Sequence, residues 1–287
     1  MGRRDPEWMF KRLSVRRPYT CCDLEGQFVF TPFCNHLAGG EWRLLAWLER
    51  EKISYDIISG ADLHFGKGDL NNYSAIIFST HSEYWTRKMY EKVKFAHQNH
   101  GLWLVNLSGN TMYREIEYFD DGSTRCVSLE FGESCADETQ LLGVRFTEDD
   151  YATCAPYKVL EPEHWVFDNL STERKRLCFG GLSLNQNIFQ IDSFYNAGHP
   201  GLEGGLVGMG ASGWETDKLS VSAPKDIRII AKGLNRKGGA HMVVREPNGS
   251  RGGMFSASSL TFSGCLLIDN IASRVVKNVL GKALLNK

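Results

Sequence analysis

Apolar residues fall at helical spacing in "GGEWRLLAWLEREKIS", at Trp42, Leu44, Leu45, Trp47 and Leu48 with charges between them, and the pattern breaks near Lys52. This spacing predicts an amphipathic helix. Two short apolar runs follow, "YDIISGADL" and "YSAIIFST", the first closing its β-branched stretch at Gly60. Runs of this length and composition predict strands buried on both faces. "RKMYEKVKFAHQNHG" returns to the helical period and stops at Gly101, a glycine placed just past a helix end. "LWLVNL" predicts a third buried strand, and "SGNTMYREIEYF" reads as a turn that opens a helix at Ser108 or Asn110.

Helices and strands alternating through residues 40 to 120 predict an α/β fold with an open, mostly parallel sheet flanked by helices, flavodoxin-like in plan. Ligands in such sheets sit beyond the carboxyl ends of the strands. "STHSEYW" and "LSGNTMY" occupy two of those ends. From about residue 121 the texture turns polar and glycine-containing, and residues 121–222 read as an irregular, β-containing insertion or cap. "IRIIAKGL", "AHMVVREP" and "GGMFSASSLTF" then read as strands, and "LIDNIASRVVKNVLGKALL" as an amphipathic C-terminal helix. The division expected is an exposed lead-in over residues 1–15 and a single α/β domain over 16–287.

Composition changes this picture little: 42% hydrophobic and 23% charged residues suit a globule with a sizeable core. A formal net charge of -1 with no basic block lacks the electrostatic footprint of nucleic-acid binding. The opening "MGRRDPEWMFKRLSVRR" has no apolar core of a secretory signal, Asp5 and Glu7 argue against a mitochondrial presequence, and no apolar stretch reaches a membrane span. Eight cysteines carry no C-x-x-C pair and no zinc spacing. They read as free thiols of a reducing, cytoplasmic compartment.

Familiar chemical motifs are missed narrowly. "GGLVGMGASG" lacks the lysine of a phosphate-binding loop and reads as loop. "NLSGNT" stands where a nucleophile elbow would stand, without the G-x-S-x-G frame. Ser108 could attack with His81 as base, and an N-capping role is the plainer reading. The eight histidines form no H-E-x-x-H pair. His81 stands apart because it shares a strand-end turn with Glu83 and Tyr84.

The segment "HSEYWTRKMYEKVKFAHQNHGLWLVNLSGNTMYREIEY" resembles the catalytic domain of the N,N-dimethylformamidase large (beta) subunit, whose family shows a G-H-D-E-Y-W-S-like turn, a helix, a strand and then S-G-N-x-M-Y-W. "RRPYT", "EHWVF", "GWETDK", "GGMFSASSLTFSG" and "SRVVKNVL" extend the likeness over roughly residues 16 to 285. The resemblance implies a class I glutamine-amidotransferase-like domain carrying a mononuclear ferric ion held by two tyrosines and one glutamate. By matching motif the metal ligands would be Tyr84, Tyr113 and Glu215, with His81, Glu83 and Asn110 as catalytic candidates beside them. Hard anionic oxygen donors suit a hard trivalent cation, whereas zinc takes mainly His and Cys. Such an ion polarises an amide carbonyl and acidifies water, the two effects that amide hydrolysis needs.

The implied function is iron-dependent hydrolysis of a small linear amide at its C–N bond. Two alternatives stand beside it: a non-catalytic domain that binds a small molecule or a protein, and a metal-free serine amidase at Ser108. The expected partner is a small-molecule amide, with neither nucleic acid nor membrane, and a homo-oligomer is left open.

Overall fold

The structure, a computed structural model, describes residues 10–14, 38–128, 138–151, 153–171, 178–181, 183 and 210–285. The first half contains β1 (Leu13–Ser14), α1 (Ala38–Arg50), α2 (Gly60–Phe65), β2 (Ala75–Thr80), β3 (Tyr84–Trp85), α3 (Arg87–Asn99), β4 (Trp103–Ser108), β5 (Arg114–Tyr118) and β6 (Ser123–Ser128). Next come α4 (Glu138–Leu142), β7 (Val144–Thr147), β8 (Cys154–Ala155), β9 (Tyr157–Val159), β10 (Cys178–Phe179), β11 (Ser212–Gly213) and β12 (Thr216–Leu219). The chain closes through β13 (Ile227–Gly233), β14 (His241–Arg245), β15 (Met254–Ser256) and α5 (Asn270–Leu285).

The central sheet has seven strands in the order β10-β9-β13-β14-β15-β4-β2. Only β2, β4 and β15 run parallel to their neighbours; β15, β14, β13, β9 and β10 pair antiparallel in succession. This overturns the expected open, mostly parallel, flavodoxin-like sheet: the fold is mixed α/β with a large antiparallel half. The reason lies in the links. Residues 234–240 join β13 to β14 and 246–253 join β14 to β15, each shorter than the dozen residues that a parallel crossover requires. The segment expected to form a cap also supplies β9 and β10 to this sheet.

β4 is buried along its whole length, and successive side chains go to opposite faces. Trp103, Val105 and Leu107 join the core made with Trp47 and Leu48 of α1 and Val275, Val276 and Val279 of α5. Leu104 turns to the other core, with Phe78, Tyr90 and Val93. Thr86 caps α3 by accepting from the Met89 backbone N–H at 3.2 Å.

Two local expectations fail. "YDIISGADL" makes no strand; Ser59 caps α2 by accepting from the Asp62 N–H, and Gly66 ends it at φ 84°. The turn after β4 opens no helix: residues 114–118 form β5, parallel to β3 and antiparallel to β6. "RRPYT", Cys21, Cys22, Cys34, Cys135 and most of the glycine-rich stretch lie outside the described residues; among the described residues Cys178 and Cys265 are free thiols. Among the described residues no helix is long and apolar enough to cross a membrane.

Candidate active site

Three parallel strands end at one address. β2 ends in Thr80 at φ 50°, the turn after β4 holds Asn110 at φ 54° and Met112 at φ 56°, and β15 runs into Ser258 at φ 62°. Trp214, just before Glu215, adopts φ 64°. These are five of the eight described non-glycine residues with positive φ, a backbone state that costs energy and persists only where its surroundings enforce it. Here the enforcement is a set of long-range bonds. Ser82 N–H donates to Ser108 Oγ, Met112 N–H to Ser82 O and Arg114 N–H to Glu83 O, so the first two turns zip together. Asp217 N–H donates to Ser258 O and Leu260 N–H to Glu215 O, which ties the third and fourth. Gly109 sits in the seam: a Cβ there would lie 2.3 Å from Glu215 O and 2.7 Å from Leu260 N.

The frame presents a buried charge cluster. His81 Nε2 stands 3.1 Å from Glu215 Oε2 and 3.4 Å from Glu83 Oε2, with all three side chains largely shielded. Burial alone would lower the imidazole pKa, but hydrogen bonding and charge from Glu215 and Glu83 outweigh it and raise it to about 10. His81 is therefore an imidazolium at neutral pH. Arg114 Nε reaches Glu83 Oε1 at 3.1 Å. Although burial pushes the Glu83 carboxyl up, His81 and Arg114 together hold it below the ordinary value.

Tyr84 lies at the edge of this cluster, 50% exposed. Burial of its hydroxyl and the adjoining Glu83, to which that hydroxyl bonds, push its pKa well above the usual value. Tyr113 precedes Arg114, the register partner of Tyr84. Its ring packs edge-on against Phe146 at 5.4 Å, with the Arg114 guanidinium 5.3 Å from its centroid. Asn110 is buried and its Oδ1 has no hydrogen-bond partner among the described residues. Ser108 is also buried: its hydroxyl accepts from Ser82 N–H and donates to Gly109 O, the contacts of a turn brace.

Of the residues singled out in the sequence, His81, Glu83 and Glu215 are in direct contact, Tyr84 joins them through Glu83, and Asn110 and Tyr113 occupy the adjoining turn. Arg114 and Asp217 are the ones sequence reasoning passed over. Asp217 stands two residues from Glu215 in "GWETD", and that spacing puts both carboxylates on one face of an extended segment. Among the described residues, no group of three or more His, Cys, Asp or Glu is arranged to hold a metal ion. Two tyrosines and one glutamate are a donor set of another kind.

The family model described as N,N-dimethylformamidase beta subunit-like, C-terminal, matches residues 2–130 and 130–273. The chain belongs to this family. Its name points to an amide hydrolase, at the level of the family. No curated protein matches the chain.

Proposed function

We propose that this N,N-dimethylformamidase-like chain hydrolyses a small linear amide, and that a ferric ion held by Tyr84, Tyr113 and Glu215 takes part. The observation that carries the reading is His81 between Glu83 and Glu215 at the shared strand ends, with Asn110 Oδ1, buried and without a hydrogen-bond partner among the described residues, on the adjoining turn. Buried, paired titratable groups with a strongly displaced pKa beyond the carboxyl ends of parallel strands are what a reaction centre of this fold type requires.

Donor chemistry supports the metal. Two phenols and a carboxylate are hard oxygen ligands, and the Glu215 carboxylate is shielded at the shared strand ends with Oε2 3.1 Å from His81 Nε2. When bound, a ferric ion would supply Lewis acidity toward the amide carbonyl and toward water. The chain's own residues do the rest. His81 Nε2 stands where it can pass a proton to the departing amine nitrogen. Glu83, fixed by Arg114, keeps that imidazolium charged and oriented. Asn110 offers its buried amide to the substrate, beside the half-exposed Tyr84 side of the site. Water and amide yield a carboxylic acid and an amine, with no redox partner.

The test is a panel of formamides and short-chain amides, assayed for acid and amine release in equal amounts, on the parent, His81→Gln and Glu215→Gln. The reading expects turnover on at least one small amide and a loss of 100-fold or more in both variants. Equal rates in parent and variants, or no turnover from iron-loaded protein on any amide, would refute it.

A further inference from the structure

Asp217, two residues from Glu215, is almost fully buried, yet among the described residues it forms no bond to His81, Glu83 or the two tyrosines. It points to the turn instead. Its Oδ1 accepts the Asn110 backbone N–H at 2.7 Å. This bond ties the turn to a side chain 107 residues away in sequence. The Asp217 main chain is fixed in turn, its N–H donating to Ser258 O and its residue pairing with Phe146 in the β12–β7 ladder.

We infer that Asp217 is a positioning residue of this site: its carboxylate clamps the Gly109–Thr111 turn and thereby sets the Asn110 amide and the Tyr113–Arg114 pair that follows. The inference rests on the proposed hydrolase reading for its catalytic consequence but not for the clamp itself. Several features make the clamp more than one polar contact. Asn110 is held at φ 54°, a sparsely populated backbone state that persists where surrounding bonds enforce it. Arg114 lies four residues on and supports Glu83, so a shift of the turn reaches the imidazolium through one ion pair. Gly109 has no room to move toward Glu215 or Leu260, so a released turn can relax only away from them.

Asp217→Ala removes both acceptors. Asp217→Asn keeps the volume and one amide oxygen that can still accept the Asn110 N–H. Amide hydrogen exchange and activity are measured on parent, Asp217→Asn and Asp217→Ala. Exchange at Asn110 and Thr111 should speed up at least tenfold in Asp217→Ala, while the Trp103–Leu107 amides of β4 stay protected. Activity on the amide found for the parent should fall about 100-fold in kcat, with KM within about threefold, and Asp217→Asn should recover part of it. Unchanged exchange at Asn110 and Thr111 would overturn the clamp, and a loosened turn with unchanged kcat would overturn its positioning role. Should Asp217→Ala not fold, Asp217→Asn carries both readouts. If the parent hydrolyses no amide, the hydrolase reading has failed by itself, and exchange alone decides the clamp.

Discussion

Gly109→Ala is the sharpest probe of how the four turns are packed. The new Cβ would meet Glu215 O at 2.3 Å and Leu260 N at 2.7 Å, both backbone atoms that no rotamer change can move. Carbon contacts settle near 3.5 Å, so the turn must retreat by about 1 Å. Overpacking of this kind costs about 1–3 kcal/mol, while the stiffer unfolded chain of alanine returns roughly 0.4–1 kcal/mol. The steric cost wins, for a net loss of about 1–2 kcal/mol. A 1 Å displacement beside reacting groups is worth on the order of 100-fold in rate. Urea denaturation with the amide assay on the same samples reads both. A Gly109→Ala protein as stable and as active as the parent would show that the seam between residues 109, 215 and 260 is not closed as described.

Other consequences can be checked alongside. Gly281 lies inside α5 with nothing near its missing Cβ, so Gly281→Ala should stabilise by about 0.5–1 kcal/mol, read in the same urea experiment. His97 is buried, and burial, with Arg251 and Arg245 adding to it, lowers its pKa to about 4 while the bond to Leu102 O opposes the drop. The unfolded chain takes up this proton below about pH 6.5 and the folded one only near 4, so stability is fully present above 6.5. It falls by roughly 3 kcal/mol as pH drops through that window. His97→Gln should lose less between pH 7 and 4.5 than the parent, and an identical acid slope would contradict this. Tyr157 donates its buried hydroxyl to Ala257 O at 2.6 Å, so Tyr157→Phe should cost about 1–2 kcal/mol by thermal or urea melting.

Much of the scaffold was legible because its signals are local. The periodicity of α1, α3 and α5 and the apolar runs of β2 and β4 each report burial directly, and the strand ends carrying His81, Glu83, Tyr84 and Asn110 follow from them. Strand direction was not legible from those signals. It is set by the short links before β14 and β15, and a reading anchored on residues 40–120 extended the wrong rule to the other half of the sheet. "REIEY" failed for a related reason: the Glu115–Ile116–Glu117 alternation is a strand signal, but Ser108 and Asn110 ahead of it resemble helix caps. The Ser59 and Asp62 cap in "ISGADL" was likewise masked by β-branched neighbours. At the site, the motif likeness singled out Glu215, but Asp217 and Arg114 act through contacts across 107 and 31 residues, which no local pattern encodes.

Metal analysis with a visible absorption spectrum tests the central claim most directly, on protein purified without an affinity metal and reloaded with ferric iron. The account predicts about one iron per chain and a tyrosinate-to-iron charge-transfer band that disappears in Tyr84→Phe, Tyr113→Phe and Glu215→Gln. A colourless protein that takes up no iron, or a band that survives all three substitutions, would contradict it.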